Sequence, residues 1–201
     1  MTKIILVRHA KSVANKEGFL GGITDYPLCE EGYEEARDLA NYLKNIGLDA
    51  IYSSPLTRAV ETATPIAKIL NKEIIICNDL RELNFGSWEG LIEDTLREIY
   101  PEKYKYFDET EHYIGIDGQE ETEQAAKRML DAITKIAESN KDKTVLIVSH
   151  QVSTRAFLCQ IMNIPFEQTN LKIGDLKNTN IAIINYDDVS KEFDVKQVRS
   201  K

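Results

Sequence analysis

Short aliphatic runs alternate along this chain with longer stretches whose apolar residues recur every three or four positions. The runs predict strands at Lys3–Val7, Asp49–Ser53, Glu73–Cys77, Thr144–Ser149, Thr179–Tyr186 and Phe193–Val198. The longer stretches predict helices. In Glu30–Ile46, Tyr33, Ala36, Ala40 and Leu43 share a face, with Gly47 as the stop. In Leu56–Leu70, Ala59, Ala63, Ile66 and Leu70 do the same, and Pro65 is expected to kink the helix. Glu120–Ser139 and Val152–Met162 complete the set. Strand–helix alternation of this kind predicts an α/β fold, a three-layer α/β/α sandwich on a mainly parallel sheet. The last two strands are close enough to form a hairpin, which would place an antiparallel strand in that sheet. Glu89–Gly118 is the least regular part, aromatic and charged, and reads as a small helical cap over the sheet.

Composition narrows this picture. The 201 residues are 42% hydrophobic and 29% charged, as in ordinary globular proteins, and predict a single domain over 1–201 with residues ~89–118 as an excursion. Three cysteines with no close pair argue against a disulfide framework or a zinc knuckle. Ile4–Val7, the apolar run nearest the N-terminus, is too short for a signal core or a membrane span, so a cytoplasmic protein with no membrane partner is the expectation. The net charge is −8 and no run of five basic residues occurs, so nucleic acid is not an expected partner. An anionic ligand would therefore need individually placed arginines.

Two strand ends match. Ile4-Ile5-Leu6-Val7-Arg8-His9 and Val145-Leu146-Ile147-Val148-Ser149-His150 each run four aliphatic residues, one polar residue and a histidine. In an open parallel sheet ligands bind beyond the carboxyl ends of the strands, so neighbouring strands would bring both imidazoles to one crevice. Ser53-Ser54-Pro55-Leu56-Thr57-Arg58-Ala59 is a third strand end opening a helix. Its backbone N–H groups and the Arg58 guanidinium suit an oxyanion. A fourth segment, Leu80 to Gly90, carries Glu82, the only tryptophan and two glycines.

In this order, Arg8-His9-Ala10, Thr24-Asp25-Tyr26-Pro27-Leu28 closing on Gly32, the Ser53–Ala59 stretch, Glu82 with Gly86-x-Trp88-Glu89-Gly90, and Ser149-His150 resemble the histidine phosphatase superfamily, the phosphoglycerate mutase-like proteins. The resemblance runs from the first strand to about Arg155. It implies that His9 is a nucleophile that becomes phosphohistidine. Arg8, Asn15, Arg58 and His150 would hold the phosphoryl oxygens, and Glu82 would protonate the leaving oxygen and then activate water. No metal or other cofactor is implied, and the substrate would be a small phosphomonoester. Positive charge around His9 would keep it neutral and nucleophilic.

Ala10 and Gln151 stand where glycine is commonest in the family, and Cys29 where threonine or serine often occurs. Gln151 becomes a candidate substrate contact, as do Gly21 and Gly22 in the loop after the nucleophile; Cys29 reads as a small filler. His112, among acidic residues of the cap, reads as a solvated side chain. Phosphatase is favoured over mutase, because Arg97, Lys103 and Lys105 are outnumbered in the cap by Glu89, Glu93, Asp94, Glu98 and Glu102. The other readings are a catalytically silent phospho-ligand binding module and a zinc site of two histidines and a glutamate, disfavoured beside two arginines. An apolar edge strand is compatible with a homodimer.

Overall fold

The computed structural model describes residues 1–199 apart from Glu111 and Tyr113. The elements in order are β1 (Thr2–Arg8), α1 (Val13–Glu17), α2 (Glu30–Leu43), β2 (Ala50–Ser53), α3 (Thr57–Leu70), β3 (Ile74–Ile76), α4 (Glu93–Ile99), α5 (Pro101–Thr110), α6 (Thr122–Ser139), β4 (Thr144–Ser149), α7 (Gln151–Ile161), α8 (Thr169–Lys172), β5 (Ile181–Tyr186) and β6 (Phe193–Arg199). Short 3-10 turns at Asn78–Leu80, Gly86–Trp88 and Phe166–Gln168 join them.

The strands form one six-stranded sheet in the order β3-β2-β4-β1-β5-β6. β3, β2, β4 and β1 are parallel; β5 is antiparallel to β1, and β6 to β5. The expected closing hairpin is therefore present. Alternation along β1 separates two cores. Ile5 and Val7 face Leu39 and Leu43 of α2 and Ala63 and Ile66 of α3. Ile4 and Leu6 face Met129 and Ile133 of α6 and Phe157 and Leu158 of α7. Each such Ile or Leu contributes about 1.5–3 kcal/mol on burial. The sandwich follows from a sheet that is apolar on both faces.

Pro65 lies inside α3, which Asn71 in the left-handed region (φ 50°) ends. One expectation is corrected. Glu89–Gly118 is more regular than its sequence suggests, since α4 and α5 occupy most of it. Trp88 packs against Tyr100, Tyr104 and Phe107 at ring-centroid distances of 5.5, 6.1 and 6.3 Å, and Phe85 joins Phe107 edge-on. This aromatic cluster, with Leu83, Leu96 and Ile116, is a separate small core beneath the cap.

Candidate active site

β1 and β4 are hydrogen-bonded neighbours with Arg8 opposite Ser149, so His9 and His150 each stand one residue beyond adjacent strand ends. Their ring centroids are 5.1 Å apart. A cavity of about 160 Å³ opens above His9, small against the ~300–1,000 Å³ of pockets for drug-sized ligands. Arg8, His9, Asn15, Gly21, Gly22, Arg58, Glu82 and Gln151, all singled out from the sequence, line it. His150 does not line the cavity; it is fully buried.

His9 Nδ1 lies 2.7 Å from the carbonyl oxygen of Ala10. A carbonyl only accepts, so Nδ1 carries the proton and Nε2 keeps its lone pair. Burial, then the charges of Arg58 and Arg8, hold the pKa of His9 well below the ordinary histidine value. The same is true of His150, through burial, then Arg58 and His9. His150 Nε2 is 2.7 Å from Ser54 Oγ, and among the described residues its buried Nδ1 has no hydrogen-bond partner.

Arg58 is held by carbonyls of the loop after the nucleophile: Nη2 donates to Gly22 at 2.5 Å and Nη1 to Thr24 at 3.1 Å. That loop is fastened in turn by Glu89. Its carboxylate accepts from Ile23 N, Thr24 N, Thr24 Oγ1 and Phe85 N at 2.5–3.0 Å. Gly22 has a positive φ of 51°, and a Cβ there would lie 2.1 Å from Glu89 Oε1. The N-terminus of α3 is not the oxyanion seat expected from the sequence. Asp25 occupies it, accepting from Thr57 N at 2.8 Å and Thr57 Oγ1 at 2.6 Å. Arg58 brings the charge from that junction instead.

Glu82 is 6% exposed and sits at the start of α7. Its Oε1 accepts from Leu83 N and Ser153 N, both at 2.8 Å, and its Oε2 from Val152 N at 3.1 Å. Arg128 and Ser149 hold the segment that carries it, donating to the carbonyls of Glu82 (3.0 Å) and Leu80 (2.8 Å). Arg8 Nη1 donates to the Leu176 carbonyl at 2.6 Å and to Gln151 Oε1, so Gln151 is engaged with an arginine of the site. Ala10 is buried and its N–H donates to Thr62 Oγ1 at 2.9 Å. Cys29 is buried with Sγ 3.4 Å from the Lys11 carbonyl, as a filler would be.

Sequence reasoning missed Glu89, Thr62, Asn178 and Arg128 as supports of the site. Glu89 lies inside the Gly86-x-Trp88-Glu89-Gly90 motif, and that membership was the available signal. His112 is also corrected. Its side chain is only 18% exposed, stacked on Phe166 with Nε2 3.0 Å from Glu123, so it joins the end of the cap to α6.

Residues 4–198 match the model of the histidine phosphatase superfamily (branch 1). The chain belongs to that superfamily. The match extends the sequence resemblance over the last two strands of the sheet, β5 and β6. Among curated histidine phosphatase relatives, phosphoserine phosphatase 1 of Hydrogenobacter thermophilus is 35% identical over 82% of this chain and 78% of its own. A 2,3-bisphosphoglycerate-dependent phosphoglycerate mutase of Parvibaculum lavamentivorans is 33% identical over 82% of each. The solved phosphoserine phosphatase of Entamoeba histolytica, in complex with 3-phosphoglyceric acid, superposes with a TM-score of 0.85 at 28% identity, covering 100% of this chain and 98% of the other. Among the described residues of this histidine phosphatase, no group of three or more His, Cys, Asp or Glu side chains is arranged to hold a metal, and no helix is long and apolar enough to cross a membrane.

Proposed function

We propose that this protein is a metal-independent hydrolase of small phosphomonoesters that works through a phosphohistidine on His9. The observation that carries the reading is the Nδ1–H of His9 committed to the Ala10 carbonyl, which leaves the Nε2 lone pair beside two arginines in the cavity. In the first step Nε2 attacks phosphorus, the N–P bond forms and the ester P–O bond breaks. Glu82, carrying a proton, gives it to the departing oxygen, so no alkoxide is expelled. In the second step Glu82 takes a proton from water, the water oxygen attacks phosphorus, and the N–P bond breaks to release inorganic phosphate and the His9 lone pair. Charge on the equatorial oxygens is met by Arg8, Arg58 and the amide of Asn15, all of which line the cavity, with His150 buried beside them. Preorganised charge of this kind supplies positioning and electrostatics without a Lewis acid.

The substrate reading is phosphoserine. α4 and α5 present Glu93 and Asp108 to the cavity, carboxylates that suit an α-ammonium group and oppose a second phosphate or carboxylate. The same charge argument favours hydrolase over mutase, since a bisphosphorylated intermediate would meet those two acids. Glu93 is itself fixed, accepting from Tyr104 Oη at 2.8 Å.

The test is phosphate release from phosphoserine, phosphothreonine, 3-phosphoglycerate and a sugar phosphate, with EDTA present and a coupled assay for 3- to 2-phosphoglycerate interconversion. Chelator-resistant release, fastest on phosphoserine, supports the reading. Isomerisation without release would replace it with a mutase, and silence in both assays would leave a binding module.

A further inference from the structure

Arg8 and His9 are gripped from behind by a turn that comes 169 residues later in the chain. At the start of β5, Thr179 N–H donates to the Arg8 carbonyl at 3.1 Å, and Arg8 N–H donates to the Asn180 carbonyl at 3.1 Å. Asn178 Nδ2 donates to the His9 carbonyl at 2.9 Å and to Asn15 Oδ1 at 3.1 Å. Thr179 is buried with a φ of 58°, a conformation a β-branched residue keeps only where its surroundings over-determine it. Asn180 locks the turn through Lys177: its Oδ1 accepts from Lys177 N at 3.0 Å and its N–H donates to the Lys177 carbonyl at 3.0 Å.

The consequence falls on Asn15. Its Oδ1 accepts from Ser12 N–H, Ser12 Oγ and Asn178 Nδ2, each at 3.1 Å. Three donors on the oxygen commit the amide to one orientation, with its own Nδ2 left for the cavity that Asn15 lines. An amide that flipped would offer an oxygen to an anion and repel it.

We propose that Asn178 is a positioning residue of the phosphoryl pocket: one side-chain amide fixes the carbonyl of His9 and the orientation of Asn15, so that Asn15 meets the anion as a donor. This rests on the hydrolase reading for its reaction, although not for its geometry. Asn178 is absent from the sequence motifs because it acts through Asn15 and His9 and touches no substrate. Asn178→Asp removes both N–H groups in the same shape and sets a carboxylate against two oxygens.

The experiment is a double-mutant cycle of Asn178→Asp and Asn15→Ala, read as orthovanadate affinity by titration calorimetry and, alongside, as kcat/KM. Asn178→Asp is expected to weaken orthovanadate about 10-fold in the otherwise unchanged protein and less than about 2-fold in the Asn15→Ala background. Equal losses in both backgrounds, or no loss in the first, would overturn the proposal. If Asn178→Asp does not fold, Asn178→Ala carries the same cycle, with the same requirement that its loss shrink when Asn15 is gone. A protein that binds orthovanadate yet hydrolyses no ester would sink the hydrolase reading, while the binding cycle would still decide the role of Asn178.

Discussion

The imidazoles of His9 and His150 stand at matched positions one residue beyond adjacent parallel strands, with ring centroids 5.1 Å apart and planes inclined at 57°. Neither ring can take a proton without burying a charge beside Arg58. Both are therefore neutral in the folded protein near neutrality, and both titrate in the unfolded chain around 6.5. Between 6.5 and the lower folded values the unfolded state binds more protons, so stability is full above 6.5 and is lost as pH falls. Each histidine adds a slope approaching ~1.4 kcal/mol per pH unit in that window. Thermal melts from pH 7.5 to 5 should show a falling Tm, and His150→Gln should flatten the fall. An unchanged slope in that variant would mean the histidine is charged in the fold.

The same shift sets the acid limb of activity. A nucleophile kept neutral by burial and two arginines should hold its kcat/KM below pH 6.5, whereas a histidine with an ordinary pKa would lose most of it by pH 5.5. A limb centred at 6.5 would contradict the neutral-nucleophile assignment.

Glu82→Gln keeps an oxygen that can accept from the Leu83 and Ser153 N–H groups, sets an NH2 against the Val152 N–H, and loses the transferable proton. Alkyl esters such as phosphoserine should slow by about 10²–10⁴-fold, and p-nitrophenyl phosphate, with its good leaving group, far less in the first step. Comparable losses on both substrates would remove the acid role and leave Glu82 as a cap on α7.

Gly22→Ala places a methyl 2.1 Å from Glu89 Oε1 on a backbone with φ of 51°. The loop must shift, and with it the carbonyl on Arg58 Nη2. KM for a phosphomonoester and the inhibition constant of orthovanadate should both rise about 10-fold, with Tm lowered by a few degrees. Wild-type vanadate inhibition in this variant would show that the loop does not set Arg58.

Glu93→Gln together with Asp108→Asn removes the acidic wall above the phosphate pocket. Steady-state assays should show the preference for phosphoserine over 3-phosphoglycerate falling by about 10-fold or more, chiefly through KM for phosphoserine. A selectivity that does not move would assign substrate choice to other cavity residues.

The site was legible in the chain to the extent that it rests on strand ends. Ile4–Val7 and Val145–Val148 are short, wholly aliphatic and each followed by a histidine, and strands apolar on both faces pair in the middle of a sheet. Glu82 and Arg58 were visible through motif order. What stayed hidden acts over distance. Asn178 sits in a Lys-Asn-Thr-Asn turn with no periodicity, and its partners lie at the other end of the chain. The capture of the α3 N-terminus by Asp25 was equally unreadable, because a helix start reads the same whether its N–H groups meet a ligand or a carboxylate. The cap helices were read as irregular because α5 carries so many charges between its aromatic anchors that its stripe, Tyr104 and Phe107, spans a single turn. Trp88 supplies the rest of that core from outside the helix.

The most direct measurement is rapid-quench trapping of the phosphoenzyme from ³²P-labelled phosphoserine in the wild-type protein and in His9→Ala. The expected result is an acid-labile, base-stable phosphoryl group on His9 that forms and decays fast enough to account for turnover, and no label or turnover in His9→Ala. Label on another residue, or phosphate release that survives His9→Ala, would contradict catalysis through His9.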